Sequence, residues 1–572
     1  MLNAIQNYPL LQKMHSNFFK CFITQAWWLG SCNGISGFLH LDGIYDDPKG
    51  GQIRCEVYTR LRYHFQFYNE LKFFPIGNVR RYSINIYKSK KQRNIFFSHI
   101  SNLFHPITID ESFNHSGLGS VPGIKDSNFN WELRGHRNRI IEVNENSLKL
   151  FAILYDKKGT HFGQARLPML HSLEILNVLE KFVKYPFKLG DLDGKYYPTE
   201  MFNETGAQKK GIIKRETKFP SDLRELIISG PHISVSNPLY QTPNEGCGSH
   251  RDYSLVDLIA ISSDYIPRTN YVPLCTLDKY IEKVPKWNGN PVINYYRIAF
   301  RNQLSPSGER TLISAIIPPH VGHIDGCFSI CLDDYSDLAL FCGLTSSIVL
   351  DFWVKTTGKA HIRHDIAVLL PIIKNTFLDS KIMARALRLN CLTTPYAEFW
   401  NKLYDTSFAQ DGFVKKDSRL KTWNGLTPKW GHLCAFRSDY ERRQALVELD
   451  VLAALALGLT IEELVTIYKV QFPVLQKYET QRYYDQLGML VPKDVLKNHL
   501  GLELEDEEEL DEEGNPLPKP KSKSKSKPRT KSKQQPADPL QGFIPPFDRC
   551  DREADMRQAY AHFEKLLAGE KA

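Results

Sequence analysis

The chain has 572 residues, 24% charged and 42% hydrophobic, a globular composition at a length that holds roughly four units of about 150 residues. Lysine and arginine outnumber aspartate and glutamate by 73 to 64, a surplus that permits a polyanionic partner without demanding one. The first twenty residues lack a basic-then-apolar signal, the cysteines follow no spaced framework, and the longest apolar run, Leu338 to Val354, is broken by Thr345, Ser346, Ser347 and Asp351; secreted, membrane and collagenous classes fall away, and a cytoplasmic chain with reduced thiols is expected.

In chain order, Phe18, Phe22, Ala26 and Leu29 recur at helical spacing beside Trp27 and Trp28. Gly34 to Leu41 reads as a short apolar strand, and Asp46-Asp-Pro-Lys-Gly-Gly51 as a turn. A second helical pattern runs through Ile53, Val57, Leu61 and Phe65, and Tyr82 to Tyr87 alternates like a strand. Helix, strand, helix, strand predicts a parallel α/β unit, and its small number of strands suggests the back half of a larger sheet.

These residues resemble a known family. NFFKCFITQAWWL, GFLHLDGIYDDPKGGQIRCEVYTRLRYHFQFYNEL and YSINIY are similar to the segment after the catalytic motif in large restriction–modification DNA adenine-N6 methyltransferases, the fused type II enzymes and related phage-defence methylases. The resemblance continues through GHRNRI (135–140), NPLYQTP (237–243), PRTNYVP (267–273), YRIAFRNQLSPSGERTLISAIIPP (296–319), SSIVLDFWVKTTGKAHI (346–362) and LDVLAALALGLTIEELVTIYKVQFPVL (449–475). It implies the distal strands of a Rossmann-like methyltransferase sheet, then an α+β target-recognition region. Such enzymes bind S-adenosylmethionine on a Gly-rich turn and hold a flipped adenine on an Asn/Asp-Pro-Pro-aromatic block. In the family both lie upstream of the helix at Phe18, and this sequence contains neither. No catalytic, cofactor-binding or metal residue is therefore assigned. Methyl transfer is expected only if a separately encoded N-terminal half supplies the cofactor. Whether the chain is part of an enzyme stays open, the other reading being a non-catalytic truncated remnant or a stand-alone DNA-binding protein.

Asn237-Pro-Leu-Tyr240 is one residue from an adenine-pocket block. A permuted active site would need a Gly-rich turn in the following stretch, and Phe341-Cys-Gly343 lacks the second glycine, which favours a plain turn. His320, His323, Cys327 and Cys331 have the residue types of a zinc site but not the paired short spacings; cysteines four apart on a strand read as core. Asp191-Leu-Asp-Gly-Lys195 resembles a metal loop without its later glutamate.

Reading duplex DNA takes arginine forks for guanine, amides for adenine and cations for phosphates. Tyr295 to Arg310 offers such a mixture, so Arg297, Arg301 and Arg310 are candidate DNA contacts, with Lys355 and Lys359, near His361 and His364, on phosphates. The competing reading packs Ile298 and Phe300 inward and leaves the arginines in solvent. Leu446, Leu449, Ala453 and Leu457 form a helix face ending at Gly458, and Thr460-Ile-Glu-Glu463 opens the next helix as a capping box.

From Glu503 to Glu513 all residues but Leu504 and Leu510 are acidic, and Lys519 to Lys533 alternates basic residues with Ser, Pro and Thr. This predicts a disordered charged tail, a solvated linker or a basic tether for phosphates. Asp548 to Leu567 reads as a terminal helix with Ala559, Phe563 and Leu566 on one face. The expected organisation is 1–100 methyltransferase remnant, 101–214 connecting segment, 215–500 target recognition, 501–542 linker and 543–572 terminal helix. Duplex DNA is the expected partner.

Overall fold

The computed structural model describes residues 6–15, 17–78, 80–185, 187–305, 308–502, 504 and 540–570. The predicted charged tail lies outside them apart from its margins. The chain divides into two compact units: 1–152 with 158–176 and 476–550, and 153–157 with 177–475 and 551–572. The first unit thus runs well past residue 100 and takes back a late segment.

In the first unit, α1 (Phe18–Leu29) leads into β1 (Ile35–Leu41), the one-turn α2 (Gly43–Asp46), α3 (Gly51–Tyr58), β2 (Leu61–Tyr68), β3 (Arg81–Lys88), β4 (Phe96–Leu103), α4 (Ile107–Asn114) and β5 (Ile141–Asn144). The sheet order is β1-β3-β2-β4-β5. β3 runs antiparallel to both β1 and β2, β2 parallel to β4, and β4 antiparallel to β5; β1, β2 and β4 therefore point the same way. Two expectations are corrected. The second helix stops at Tyr58, because Leu61-Arg-Tyr-His-Phe-Gln-Phe-Tyr68 is aromatic-rich and pairs on both sides as a strand. And the strands at 35–41 and 82–87 are antiparallel neighbours, so the parallel relation belongs to β1, β2 and β4.

The α1 face is inverted as well. Lys20, Cys21, Ile23 and Trp27 are buried, whereas Phe18, Phe22 and Leu29 face out. The spacing of Phe18, Phe22, Ala26 and Leu29 identifies the helix, but the side that packs is set by Trp27, edge-on to Tyr87, with Arg60 over its ring at 4.8 Å.

The second unit opens with β6 (Tyr196–Thr199), β7 (Ile213–Lys218), β8 (Ile227–Ile228), β9 (Gln241–Pro243), β10 (Tyr253–Leu255), β11 (Thr269–Pro273), β12 (Lys286–Trp287), β13 (Asn290–Pro291), β14 (Arg297–Arg301), β15 (Ser314–Ile317), β16 (Gly322–His323) and β17 (Cys327–Leu332). They form two four-stranded sheets, β15-β14-β17-β6 and β16-β8-β11-β7, and the hairpins β9/β10 and β12/β13. Helices follow. The run Leu338–Val354 lies in two of them, Tyr335–Thr345 and Ile348–Thr357, bent by 74° at Ser346-Ser347 and buried. Among the described residues no single helix is long and apolar enough to cross a membrane.

Helix Asp439–Leu457 ends at Gly458 (φ 72°), a left-handed cap, and Thr460 and Glu463 make the predicted capping box. The terminal helix is Arg552–Glu570; Ala559 and Phe563 are buried but Leu566 is 38% exposed. It docks through charge: Arg552 meets Asp450 at 2.7 Å, and Arg443 meets Asp555 at 2.6 Å, all four side chains buried.

Candidate functional site

Three of the five candidate contacts are structural. β14 is a central strand between β15 and β17, and both of its faces are covered. Arg297 is 0% exposed, donating to the carbonyl of Val321 and lying 3.5 Å from Ser329 Oγ. Arg301 donates through Nε to the carbonyls of Gly230 and Ile233, each at 2.9 Å. Arg310 Nε meets Asp351 at 2.7 Å and its Nη2 meets the Ser346 carbonyl; Asp351 also accepts from the amides of Thr311 and Leu312. The arginines expected on DNA are instead ties for buried carbonyls (Arg297, Arg301) and a counter-ion for Asp351 (Arg310), and the competing solvated reading fails for Arg297 as well, because both faces of β14 are packed. Lys355 is half-buried with its Nζ 4.9 Å from the Phe472 ring, and burial lowers it to about 8. Lys359 is half-buried just past the Gly358 cap.

The other decoys resolve locally. Asn237 Oδ1 accepts from the Leu239 amide at 3.1 Å, a turn. Cys327 and Cys331 are fully buried, His323 Nε2 lies 2.8 Å from Ser329 Oγ, and among the described residues no metal-ligating group of three or more forms. Asp191 closes a turn by accepting from the Lys188 amide.

Cations reach solvent instead around the turn into β7. Lys209 and Lys210 end a short helix (Glu204–Lys209) that Asn203 caps, Gly211 takes φ 67°, and Lys214 and Arg215 begin the strand. All four are exposed, and Lys209 and Lys210 have no ion-pair partner among the described residues. Lys214 pairs with Glu216 at 2.5 Å and Lys218 with Glu225 at 3.3 Å. Arg215 Nη2 donates to the carbonyls of Cys247 and Gly248, tying the ridge to the loop that carries the exposed His250. β7 is the edge of its sheet, so these lysines also guard that edge against strand addition. The run KKGIIKRETK was the available signal; its position at an expected boundary hid it.

In the first unit a second polar constellation closes the carboxyl end of β1. Asp42 Oδ1 lies 3.0 Å from His64 Nε2, and His64 Nδ1 lies 2.8 Å from His99 Nδ1. The tautomers that satisfy all three have His64 donating to Asp42 and accepting from His99. Tyr45 donates to Asn85 at 2.5 Å and lies 3.1 Å from the Tyr87 hydroxyl, which lies 3.2 Å from His40 Nε2. Burial alone would raise the Asp42 carboxyl, yet His64 and Arg81 hold it well below the usual carboxylate range. Burial lowers His40 to about 4 and His99 to about 3, so both are neutral at pH 7. No sequence signal could have found this set: Asp42 and His64 are 22 residues apart, His64 and His99 are 35.

The turn that follows is held by one side chain. Arg54 is 1% exposed and donates to the carbonyls of Ile44, Asp47 and Gln164. A Cβ on Gly50 would stand 2.8 Å from Arg54 Nη1, so the Gly-Gly pair makes room for a guanidinium. The arrangement gives a rigid, charged strand end with its groups already engaged.

No protein-family model matches the chain, and no curated protein matches it. Among solved structures, 29 chains match. The type IIG restriction endonuclease BpuSI is 8% identical at a TM-score of 0.24, over 80% of this chain and 51% of that one. The type IIL restriction–modification enzyme MmeI, in complex with DNA, is 9% identical at a TM-score of 0.33, over 83% and 54%. The chain spans about half the length of either neighbour.

Proposed function

We propose that this chain is the DNA-recognition part of a restriction–modification or phage-defence adenine-N6 methyltransferase and that it also contributes the closing strands of the methylation domain. The observation that carries the reading is the ordered series of sequence blocks from Asn17 to Leu475 that resembles those enzymes. The exposed ridge Lys209, Lys210, Lys214 and Arg215 supports the DNA half of it, since a cationic surface with spare charge attracts phosphates. Lys355 and Lys359 are kept as phosphate contacts of second rank.

The residues present do not make a site for S-adenosylmethionine. The end of β1 offers Asp42, Tyr45 and Asp46, already engaged by His64, Asn85 and Arg81 (Asp46 to Arg81, 2.9 Å), and the sequence has no Gly-rich turn of the required kind. On this reading transfer of a methyl group belongs to a complementing half. Gel-shift titrations of duplex DNA at several salt concentrations test the reading. Replacing Lys209, Lys210, Lys214 and Arg215 by Ala should weaken binding on every sequence and lower the salt slope by about one for each phosphate no longer neutralised. Unchanged affinity and slope in the quadruple variant would remove the ridge from the interface, and no binding by the parent chain would end the proposal.

A further inference from the structure

Most cations along the β7 and β11 strands are already engaged. Lys214 pairs with Glu216 and Lys218 with Glu225. Arg215 donates to the carbonyls of Cys247 and Gly248, and Arg224 pairs with Asp222 at 2.9 Å. Arg268, the residue before β11, differs: its guanidinium makes no hydrogen bond or ion pair among the described residues.

It is nonetheless fixed in place. The guanidinium carbon lies 4.5 Å from the centre of the Phe219 ring, and a cation over an aromatic face is held without using its N–H groups. The Arg268 amide donates to Thr242 Oγ1 at 2.9 Å, and its carbonyl accepts from Nε2 of the fully buried His232 at 2.9 Å. Backbone and side chain are thus both positioned, while a planar set of donors stays unpaired. Phe219 is 54% exposed, so the fork it carries lies at the surface.

The sheet sets this fork beside the cationic ridge. In the antiparallel pair, Thr269 stands opposite Lys218 and Tyr271 opposite Arg215. Thr217 Oγ1 donates to Asn270 Oδ1 at 2.9 Å, and Asn270 Nδ2 reaches Cys247 Sγ and the Tyr253 hydroxyl. Arg215, Thr217 and Asn270 therefore share the face on which the β9/β10 hairpin lies. Alternation carries Phe219 and Arg268 onto that face too.

We propose that Arg268 reads a guanine in duplex DNA, with Phe219 as its positioning residue, while the ridge begun by Lys209 and Lys210 meets phosphates. The proposal rests on the DNA-recognition reading and names the residue that would give it sequence preference. A phosphate is served by any mobile cation, so a contact that needs only charge needs no ring beneath it. A base edge needs donors of fixed direction. O6 and N7 of guanine are two acceptors side by side in the major groove, spaced for the parallel N–H groups of one guanidinium. The ring also cuts the entropy lost on contact, because the side chain is ordered beforehand.

The test is enrichment of bound duplexes from a randomised pool by the full chain and by its Arg268→Ala, Arg268→Gln and Phe219→Ala variants. The parent should enrich a motif with an invariant guanine. Both Arg268 variants should lose preference at that one position and bind the parent's best duplex roughly tenfold more weakly, with the thermal melt unchanged. Phe219→Ala should blur the same position and no other. The quadruple ridge variant, which removes charge of the same sign, should lower affinity and leave the motif as it was. A parent motif without an invariant guanine would overturn the proposal. So would an Arg268→Gln motif identical to the parent's, or a loss of preference spread over every position. A parent that binds DNA with no motif, or does not bind it, would instead end the recognition reading and this proposal with it.

Discussion

β1 and β14 are both short apolar strands, and they meet opposite fates. β14 lies between two neighbours with both faces covered, so even its two arginines point into the protein and bind carbonyls. Among the described residues β1 has one neighbour, β3, and an outer edge with no strand on it, and its Ile35, Leu39 and Leu41 are exposed. The difference is in position within the sheet, not in composition: burial is a property of what packs on a strand, and the strand's own sequence reports it poorly.

The contrast is sharpest where charge is sealed in. Asp351→Ala would leave Arg310 buried without its carboxylate and should cost about 3–5 kcal/mol, read as a lowered urea midpoint. A loss below about 1 kcal/mol would mean that the guanidinium reaches water and that the β14 side of the unit is open to solvent.

Next in size is a matched pair of truncations. Ile298→Ala, at 0% exposure, should cost about 2–5 kcal/mol, whereas Leu39→Ala on β1 should stay within about 0.5 kcal/mol. Equal losses at the two sites would erase the distinction between a core strand and an edge.

Acid acts on both regions alike. Burial lowers His323 to about 3 and His232 to about 4, as it lowers His99 to about 3 and His40 to about 4. These folded values lie below the unfolded value of about 6.5, so the unfolded chain takes up more protons as pH falls. Stability is therefore full above about pH 6.5, declines below it, and stops declining only near the folded values of 3 to 4. For His323 the loss between pH 7 and pH 5 is about 2 kcal/mol, and His323→Gln should flatten that part of the melting-temperature profile. An unaltered profile would place its proton uptake elsewhere.

Local signals were legible in the sequence. The Gly458 cap and the Thr460–Glu463 box depend on a few adjacent residues and stand where the sequence places them, and the turn predicted at Asp46–Gly51 is present as the shorter link Asp47–Gly50 between two helices. The strand β2 was hidden because Ile53, Val57, Leu61 and Phe65 keep a helical period straight through the break at Thr59-Arg60. The arginines of β14 were misjudged for a different reason: whether Arg297 meets solvent is decided by Val321 and Ser329, which lie 24 and 32 residues away. The Asp42–His64–His99 chain was invisible for the same cause, since it is assembled by three different strands or strand ends.

The order in which the chain is made gives β1 a further consequence. β3, its pairing partner among the described residues, begins about 40 residues after β1 ends, so at roughly 5–20 residues per second the strand waits several seconds on the ribosome before either edge is satisfied. Pairing with β3 then closes one edge and leaves the other as it was. A nascent chain in that condition is a template for like chains translated nearby, and crowding on one message strengthens the effect. Yield of the isolated chain should consequently depend on expression rate and temperature more than on the stability of its folded core.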